Sequence, residues 1–208
     1  MTGEAWNVER ALAFFAARRA SSFGRLTGRY ARVRVASIER LVSKMVEDPR
    51  WLSVPHIAYG LATTHHECAG RYEPIEEFAS GEAYEGRVDL GNVEEGDGVR
   101  FKGRGFVQLT GRANYVKATA LLRRLGIRMD LVAEPDLAMQ WEAAYAILTH
   151  GMYGDGLTFT GKKLPDFDLP GGFDYRRARR IINAMDRADL IAGYSKAYEW
   201  ILERALGT

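Results

Sequence analysis

The stretch HIAYGLATTHHECAGRYEP, residues 56–74, determines the fold more than any other part of the chain. Its apolar residues recur with the period of an α-helix: Ile57, Ala58, Leu61 and Ala62. Pro55 suits the first turn of this helix, and Gly70 and Pro74 predict its end. A glutamate, Glu67, therefore lies near the C-terminal end of a mostly apolar helix.

Helical periodicity continues on both sides of this stretch. Trp6, Leu12, Phe15 and Ala16 indicate a helix before it, and residues 35–45 predict another. Further helices are expected at about 112–125, 135–150, 174–185 and 188–206. The glycine-rich segments 79–104 and 154–172 indicate loops, while Phe106–Thr110 between two glycines is typical of a short strand. The predicted fold class is mainly α with a small β-hairpin.

Composition places the chain among ordinary globular proteins. With 208 residues, 47% of them apolar, it fits a single domain over 1–208, with residues 1–50 as a helical region packed on it. The net charge of +2 gives no general attraction to nucleic acid. We expect no membrane insertion, because no apolar run approaches the ~20 residues of a membrane span. We also expect no secretory signal, and a monomer.

Charge is unevenly distributed along the chain. Eight arginines and a single acid, Glu39, lie between Arg10 and Arg40. Between Glu76 and Asp97 the balance reverses, with eight acids against Arg87. Such runs are usually solvated surface, but a basic region would also suit an anionic polymer such as a bacterial cell wall.

The segment His65-His66-Glu67 is the strongest candidate for chemistry. Partial burial of a carboxyl group favours its protonated form, and this is how proteins make a general acid for a glycosidic oxygen. A surface glutamate on an amphipathic helix is the simpler alternative. A zinc protease helix would require a second histidine at position 70, which is a glycine, and Cys68 is the only cysteine. No metal and no cofactor are therefore expected.

Hydrolysis of a sugar acetal requires a second carboxylate. Six acids follow Glu67 closely: Glu73, Glu76, Glu77, Glu82, Glu85 and Asp89. An unbroken helix would place Glu76 ~13.5 Å along the axis from Glu67. The breaks at Gly70 and Pro74 let the chain turn back toward the ~6.5–9.5 Å separation that inversion requires.

The block GRGFVQLT, residues 103–110, resembles a nucleotide-binding loop only superficially. It lacks both the third glycine of the dinucleotide fingerprint and the Gly-Lys-Ser/Thr of a phosphate-binding loop. As a strand, it would direct Phe106, Gln108 and Thr110 to one face and Val107 and Leu109 to the other. The amide and the hydroxyl on one face suit sugar hydroxyls or a positioned water.

Most of the chain resembles the family 19 glycoside hydrolases, which include chitinases and phage endolysins. The resemblance is carried by residues 14–27, 62–70, 74–78, 84–92, 96–98, 103–115, 159–164 and 179–183. It implies a lysozyme-like α+β fold and inverting cleavage of β-1,4-linked N-acetylated sugars without a metal. The disulfides of plant chitinases are absent, which favours the microbial or phage branch.

The resemblance also implies roles for single residues. Glu67 matches the general acid, Glu76 the carboxylate that activates water, and Thr110 the residue that helps to hold this water. The substrate is expected to contact His66, Glu85, Gln108, Tyr115 and Asn183. Glu85 competes with Glu76 for the role of base, while His65 and Asn92 receive no role.

Three functions remain open at this point. Cleavage of bacterial peptidoglycan comes first, by a lysin held in the host cytoplasm until it is released to the cell wall. A chitinase on the same scaffold is the second, and a catalytically silent glycan-binding or structural module is the third. The expected partner is thus a peptidoglycan or chitin-like polysaccharide.

Overall fold

The computed structural model describes residues 29–51 and 53–206. Its α-helices are α1 (Arg29–Glu47), α2 (Val54–Glu67), α3 (Asp97–Arg100), α4 (Arg112–Arg124), α5 (Trp141–Tyr153), α6 (Tyr175–Ala178) and α7 (Ala188–Leu206). Its strands are β1 (Ile75–Glu76), β2 (Arg104–Gly105), β3 (Asp168–Leu169) and β4 (Gly172–Phe173). Short 3-10 helices occupy Glu82–Tyr84, Val88–Leu90, Pro135–Met139, Leu164–Phe167 and Arg179–Ile181. The helix expected around Trp6 to Ala16 lies outside the described residues.

Helix α2 begins and ends where the sequence indicates. Ser53 caps it by accepting a hydrogen bond from the backbone N–H of His56 at 3.4 Å. At its C-terminal end, the backbone N–H of Cys68 donates a hydrogen bond to the carbonyl of Thr64 at 3.0 Å. Gly70 then adopts the left-handed backbone with φ +68°, which stops the helical ladder. The predicted helix with Glu67 at its end is confirmed.

Contacts divide the described residues into two compact units. The first unit comprises the described residues up to Tyr72 together with 167–179 and the segment from Met185 onward. In it, α2 packs along α7, and its core includes Tyr59, Leu61, Tyr198 and Ile201. Strands β3 and β4 form a short antiparallel hairpin in which Asp168 pairs with Phe173.

The second unit comprises residues 73–166 and 180–184. Strands β1 and β2 are antiparallel, with Ile75 opposite Gly105 and Glu76 opposite Arg104. Helices α4 and α5 supply most of its core, which includes the fully buried side chains of Tyr115, Leu121, Leu122 and Leu148. The pairing of β1 with β2 brings the acidic segment after α2 against the Gly-Arg-Gly block.

Three details of the sequence prediction are wrong. Phe106–Thr110 is not a strand: residues 106–108 turn, so that Phe106, Val107 and Leu109 are all buried instead of alternating between two faces. The helix expected at 135–150 is divided into Pro135–Met139 and Trp141–Tyr153. The helix expected at 174–185 is only Tyr175–Ala178 followed by a 3-10 turn. Gln140 has an extended backbone, with ψ 132°, and this separates the two parts of the 135–150 segment.

The mainly α fold class with a small antiparallel strand pair is confirmed. Helices α4 and α7 match their predicted bounds to within one residue. Within the described ranges, none of the helices has the length and apolarity needed to span a membrane. The single-domain arrangement with residues 1–50 packed on it stays a prediction, since residues 1–28 are not described.

Candidate functional site

Glu67 is the last residue of α2, and its carboxylate is largely buried, with a side-chain exposure of 15%. Arg179, only 2% exposed, donates from Nη1 to Oε1 of Glu67 at 2.7 Å. The Nε of Arg179 donates to the carbonyl of Asp186 at 2.9 Å, which holds the guanidinium in place. Such a charge-assisted bond fixes the orientation of the carboxyl group.

Arg179 is a functional residue that the sequence reasoning missed. The only sequence feature that pointed to Arg179 was its position in residues 179–183, one of the stretches that resemble family 19. Within the described part of the chain, no hydrogen bond reaches Oε2 of Glu67. That oxygen is therefore available to a bound ligand.

The two histidines before Glu67 have different environments. Burial lowers the pKa of His66, although the neighbouring Glu67 opposes this shift, so His66 is neutral near pH 7. His65 shares a hydrogen bond of 2.6 Å between Nδ1 and the hydroxyl of Tyr72, which in turn is bonded to the hydroxyl of Tyr198. His65, which had no predicted role, thus ties the end of α2 to α7.

Glu76 lies on β1 and is paired with two cations. The Nη2 of Arg104 lies 2.7 Å from Oε1 of Glu76, and the Nζ of Lys102 lies 3.1 Å from Oε2. The side chain of Arg104 is 7% exposed and also pairs with Asp136 at 3.0 Å. Both oxygens of Glu76 therefore contact positive charge.

Glu77, the next residue, has neutral hydrogen-bond donors instead. The hydroxyl of Tyr84 donates to Oε1 at 2.9 Å, and the backbone N–H of Gly103 donates to Oε2 at 3.2 Å. Burial, followed by the bond to Glu77, raises the pKa of Tyr84 to about 12. The phenol thus remains a donor throughout the neutral range.

Gln108 and Thr110 lie close to Glu77 around Gly103. A Cβ atom added to Gly103 would lie 2.8 Å from Oε1 of Gln108, 3.2 Å from Oε2 of Glu77 and 3.3 Å from Oγ1 of Thr110. Gln108 has a left-handed backbone with φ +53°, which is uncommon for a residue with a side chain and turns its amide back toward β1. The structure therefore brings two predicted site residues together with a carboxylate.

Glu85 is held by the loop that follows it. Its Oε1 accepts a bond from the N–H of Gly96 and its Oε2 one from the N–H of Gly98, both at 2.7 Å. Because both carboxylate oxygens accept hydrogen bonds from this loop, Glu85 stabilises the loop conformation. Asn183 is exposed, and its Oδ1 accepts from the N–H of the next residue, Ala184, at 2.8 Å.

The expected contact between Tyr115 and substrate does not fit the structure. Tyr115 is completely buried, and burial raises its pKa to about 12. Its hydroxyl donates to the carbonyl of Lys102 at 2.8 Å and accepts from Nη1 of Arg104 at 3.1 Å. Tyr115 thus positions the Gly-Arg-Gly block from within the core.

Asn92, another residue without a predicted role, is also fully buried. Its amide donates to the carbonyl of Tyr84 at 2.9 Å, and its Oδ1 accepts from the N–H of Arg112 at 2.8 Å. Asn92 thus ties the loop that carries Tyr84 to the start of α4. Across residues 29–51 and 53–206, no group of three or more His, Cys, Asp or Glu side chains has the arrangement of a metal site.

Comparison with known proteins relates the chain to one family of enzymes. It is 31% identical over 77 residues to a glycosyl hydrolase family 19 domain-containing protein of Haemophilus influenzae, a match covering 37% of this chain and 38% of that relative. The match thus spans less than half of the relative's length. No protein-family model matches the sequence.

The structure is similar to that of chitinase C from Streptomyces griseus. The TM-score is 0.53 at 20% identity, and the similarity covers 100% of this chain and 79% of the chitinase. At this identity the similarity establishes the fold. Together the two comparisons confirm the resemblance to family 19 glycoside hydrolases.

Proposed function

We propose that this chain is a glycoside hydrolase that cleaves β-1,4 bonds between N-acetylated sugars with inversion at the anomeric carbon. The observation that carries the proposal is Glu67, a largely buried carboxyl group at the end of an apolar helix, with Arg179 on one oxygen and the other available. In a chain that resembles family 19, Glu67 also matches the general acid, and Arg179 fixes the orientation of its carboxyl group.

The remaining residues take supporting roles in this proposal. A carboxylate of the segment after α2, for which the family resemblance favours Glu76, takes a proton from the attacking water. Thr110 helps to hold that water. Gln108 and Asn183 offer amide groups to the sugar, and neutral His66 offers a ring nitrogen.

Bacterial peptidoglycan is the substrate that we favour. The eight arginines between Arg10 and Arg40 would attract an anionic wall polymer, whereas chitin is neutral. The second candidate is chitin itself, supported by the structural similarity to a chitinase. If peptidoglycan is the substrate, we expect the protein to act as an endolysin does, released from a host cytoplasm to the cell wall.

Product analysis tests the proposal. The protein is incubated with purified peptidoglycan and, separately, with soluble chitin oligomers, and the fragments are identified by mass spectrometry. The identity of the sugar at the new reducing end shows which glycosidic bond was cleaved. If the reaction inverts the anomeric carbon, NMR of the freshly formed product should show the α-anomer. Amide or peptide cleavage without a new reducing end would contradict the proposal.

Salt dependence separates the two substrates. Screening reduces the reach of surface charge to about 8 Å at physiological ionic strength, so binding to cell walls should weaken as salt is added. Binding to chitin oligomers should change little. Equal salt sensitivity on both polymers, with faster turnover of chitin, would favour the chitinase.

A further inference from the structure

Arg187 has an unusual backbone for an arginine. Its φ is +57°, in the left-handed region that glycine occupies without steric cost and that residues with a side chain rarely adopt. Arg187 immediately precedes α7, and its carbonyl accepts a hydrogen bond from the N–H of Ile191 at 3.0 Å. A glycine would adopt the same turn without strain, so what the arginine contributes here is its side chain.

The side chain of Arg187 carries an unpaired positive charge at the surface. Arg187 is exposed, and within residues 29–51 and 53–206 no hydrogen bond or ion pair engages its guanidinium. The exposed Arg176 differs, since its Nε donates to Oδ1 of Asp189 at 2.8 Å. The guanidinium of Arg187 therefore keeps its N–H donors available to a ligand.

A chain of contacts connects Arg187 with Glu67. Arg179 donates from Nη1 to Oε1 of Glu67 at 2.7 Å and from Nε to the carbonyl of Asp186 at 2.9 Å. Because Asp186 precedes Arg187 in the sequence, that carbonyl belongs to the peptide bond between the two residues. All four residues belong to the first unit. One buried guanidinium thus holds both the carboxyl group of Glu67 and the turn that carries Arg187.

The ring of His66 gives a second indication that Arg187 lies near Glu67. Burial lowers the pKa of His66, and both Arg179 and Arg187 lower it further. Glu67 and Asp186 oppose this shift. Since Coulomb interactions weaken with distance, a cation that changes the pKa of His66 lies close to the residue next to the proposed general acid.

The two arginines of this site have different chemistry. Arg179 is 2% exposed, and its donors are directed to Glu67 and Asp186, so it orients groups of the protein. Arg187 is exposed, and its planar guanidinium matches the two oxygens of a carboxylate. The exposed acid Asp186 offsets the charge of Arg187 at longer range. An acidic ligand therefore gains from Arg187 by direct contact more than by general attraction.

We propose that Arg187 is a specificity-determining residue that binds a carboxylate on the glycan beside Glu67. The inference rests on the proposed glycosidase activity and names the chemistry that selects its substrate. In peptidoglycan every second sugar carries a lactyl group, whose carboxyl group is either free or extended by a peptide with carboxylates of its own. Chitin carries neither group. The ligand class is thus an acidic, N-acetylated glycan.

The test compares Arg187→Gln with wild type on three substrates. They are peptidoglycan strands with their peptides, the same strands after an amidase has removed the peptides, and chitin oligomers. Loss of one charge-assisted hydrogen bond should raise KM for the acidic strands about tenfold, while kcat stays within about twofold. Both constants should stay unchanged for chitin oligomers. An effect confined to peptide-bearing strands assigns the carboxylate to the peptide, and an effect on the amidase-treated strands assigns it to the lactyl group.

Three further variants separate this role from a structural one. Arg187→Gly removes the side chain and the strain of the left-handed backbone, so KM should rise as in Arg187→Gln without a lower melting temperature. Arg187→Lys keeps the charge without the planar fork and should give an intermediate KM. Arg128→Gln removes an exposed arginine of the second unit and should leave KM unchanged on every substrate.

Wild-type KM for both acidic strands in Arg187→Gln and Arg187→Gly would overturn the inference. An equal rise in KM for chitin oligomers would also overturn it, because Arg187 would then contact sugars in general. The same holds for a wild type that cleaves only chitin. If the wild-type protein released no reducing sugar from any of the three substrates, the proposed function itself would fail. An active wild type with unaltered Arg187 variants would refute only the assignment of Arg187.

Discussion

Glu67 and Glu77 are both carboxylates that follow a regular element, yet their surroundings differ in kind. Glu67 ends a helix and faces one buried guanidinium, which leaves its second oxygen available. Glu77 follows a two-residue strand and faces a phenol and a backbone amide. The comparison teaches that the partner, more than the residue type, determines what a carboxylate can do. A cation fixes the orientation of the Glu67 carboxyl group, whereas neutral donors hold that of Glu77.

Glu67→Gln should produce the largest effect. The amide keeps the shape of the side chain and a hydrogen bond from Arg179 but carries no acidic proton. We expect a loss of roughly 10²–10⁴-fold in glycan cleavage, together with a lower free energy of unfolding because Arg179 stays buried without its counter-charge. Reducing-sugar release and thermal unfolding measure the two quantities. A variant with half the wild-type rate would remove Glu67 from the mechanism, and azide should not rescue this variant.

Arg179→Met tests the cationic side of the comparison. It leaves the carboxylate of Glu67 buried without its partner, which should reduce the free energy of unfolding by about 3 kcal/mol. Urea denaturation of Arg179→Met, Glu67→Gln and the double variant measures the coupling. Because the double variant carries no buried charge at this position, it should be more stable than the sum of the single effects indicates. Additive effects on the free energy of unfolding would show that the interaction between Glu67 and Arg179 contributes nothing to the stability of the first unit.

Asp97→Asn tests a carboxylate that has only a structural role. Asp97 is buried and accepts bonds from Arg112 and from the N–H groups of Val93 and Glu94. The bond to Arg112, above all, lowers the pKa of Asp97. A group with a lowered folded-state pKa stabilises the protein above its unfolded pKa and loses this contribution as the pH falls.

Asp97→Asn should therefore cost about 2 kcal/mol near pH 7. The difference from wild type should shrink below about pH 4, where the wild-type aspartate takes up protons as well. Urea denaturation at pH 7 and pH 3 gives both values. If the difference in the free energy of unfolding were equal at the two pH values, the charge of Asp97 would not contribute to stability.

Tyr84→Phe should give the smallest effect. It removes the hydroxyl donor to Glu77 and should lower the free energy of unfolding by about 1 kcal/mol, as measured by urea denaturation. Since the pKa of Tyr84 is about 12, this difference between wild type and variant should stay constant from pH 5 to pH 10. A difference that changes within this range would indicate that the hydroxyl of Tyr84 ionises there.

Much of the helical framework was predictable because it depends on local patterns. The sequence features that predict α2 and the position of Glu67 are the period of apolar residues, Pro55 at the start, and Gly70 and Pro74 after the end. The same holds for α4 and α7, whose bounds were predicted to within one residue. Helical hydrogen bonds join residues close in sequence, so the sequence alone specifies them.

The tertiary structure alone decided which partner each carboxylate has. Arg179 lies 112 residues from Glu67, and Gly103 lies 26 residues from Glu77, so no local pattern shows either contact. The turn at 106–108 likewise replaced a predicted strand because burial of Phe106, Val107 and Leu109 outweighs their alternation. The sequence by itself determined where the acidic residues are, whereas long-range packing determined the charges and donors around them, and these set their chemistry.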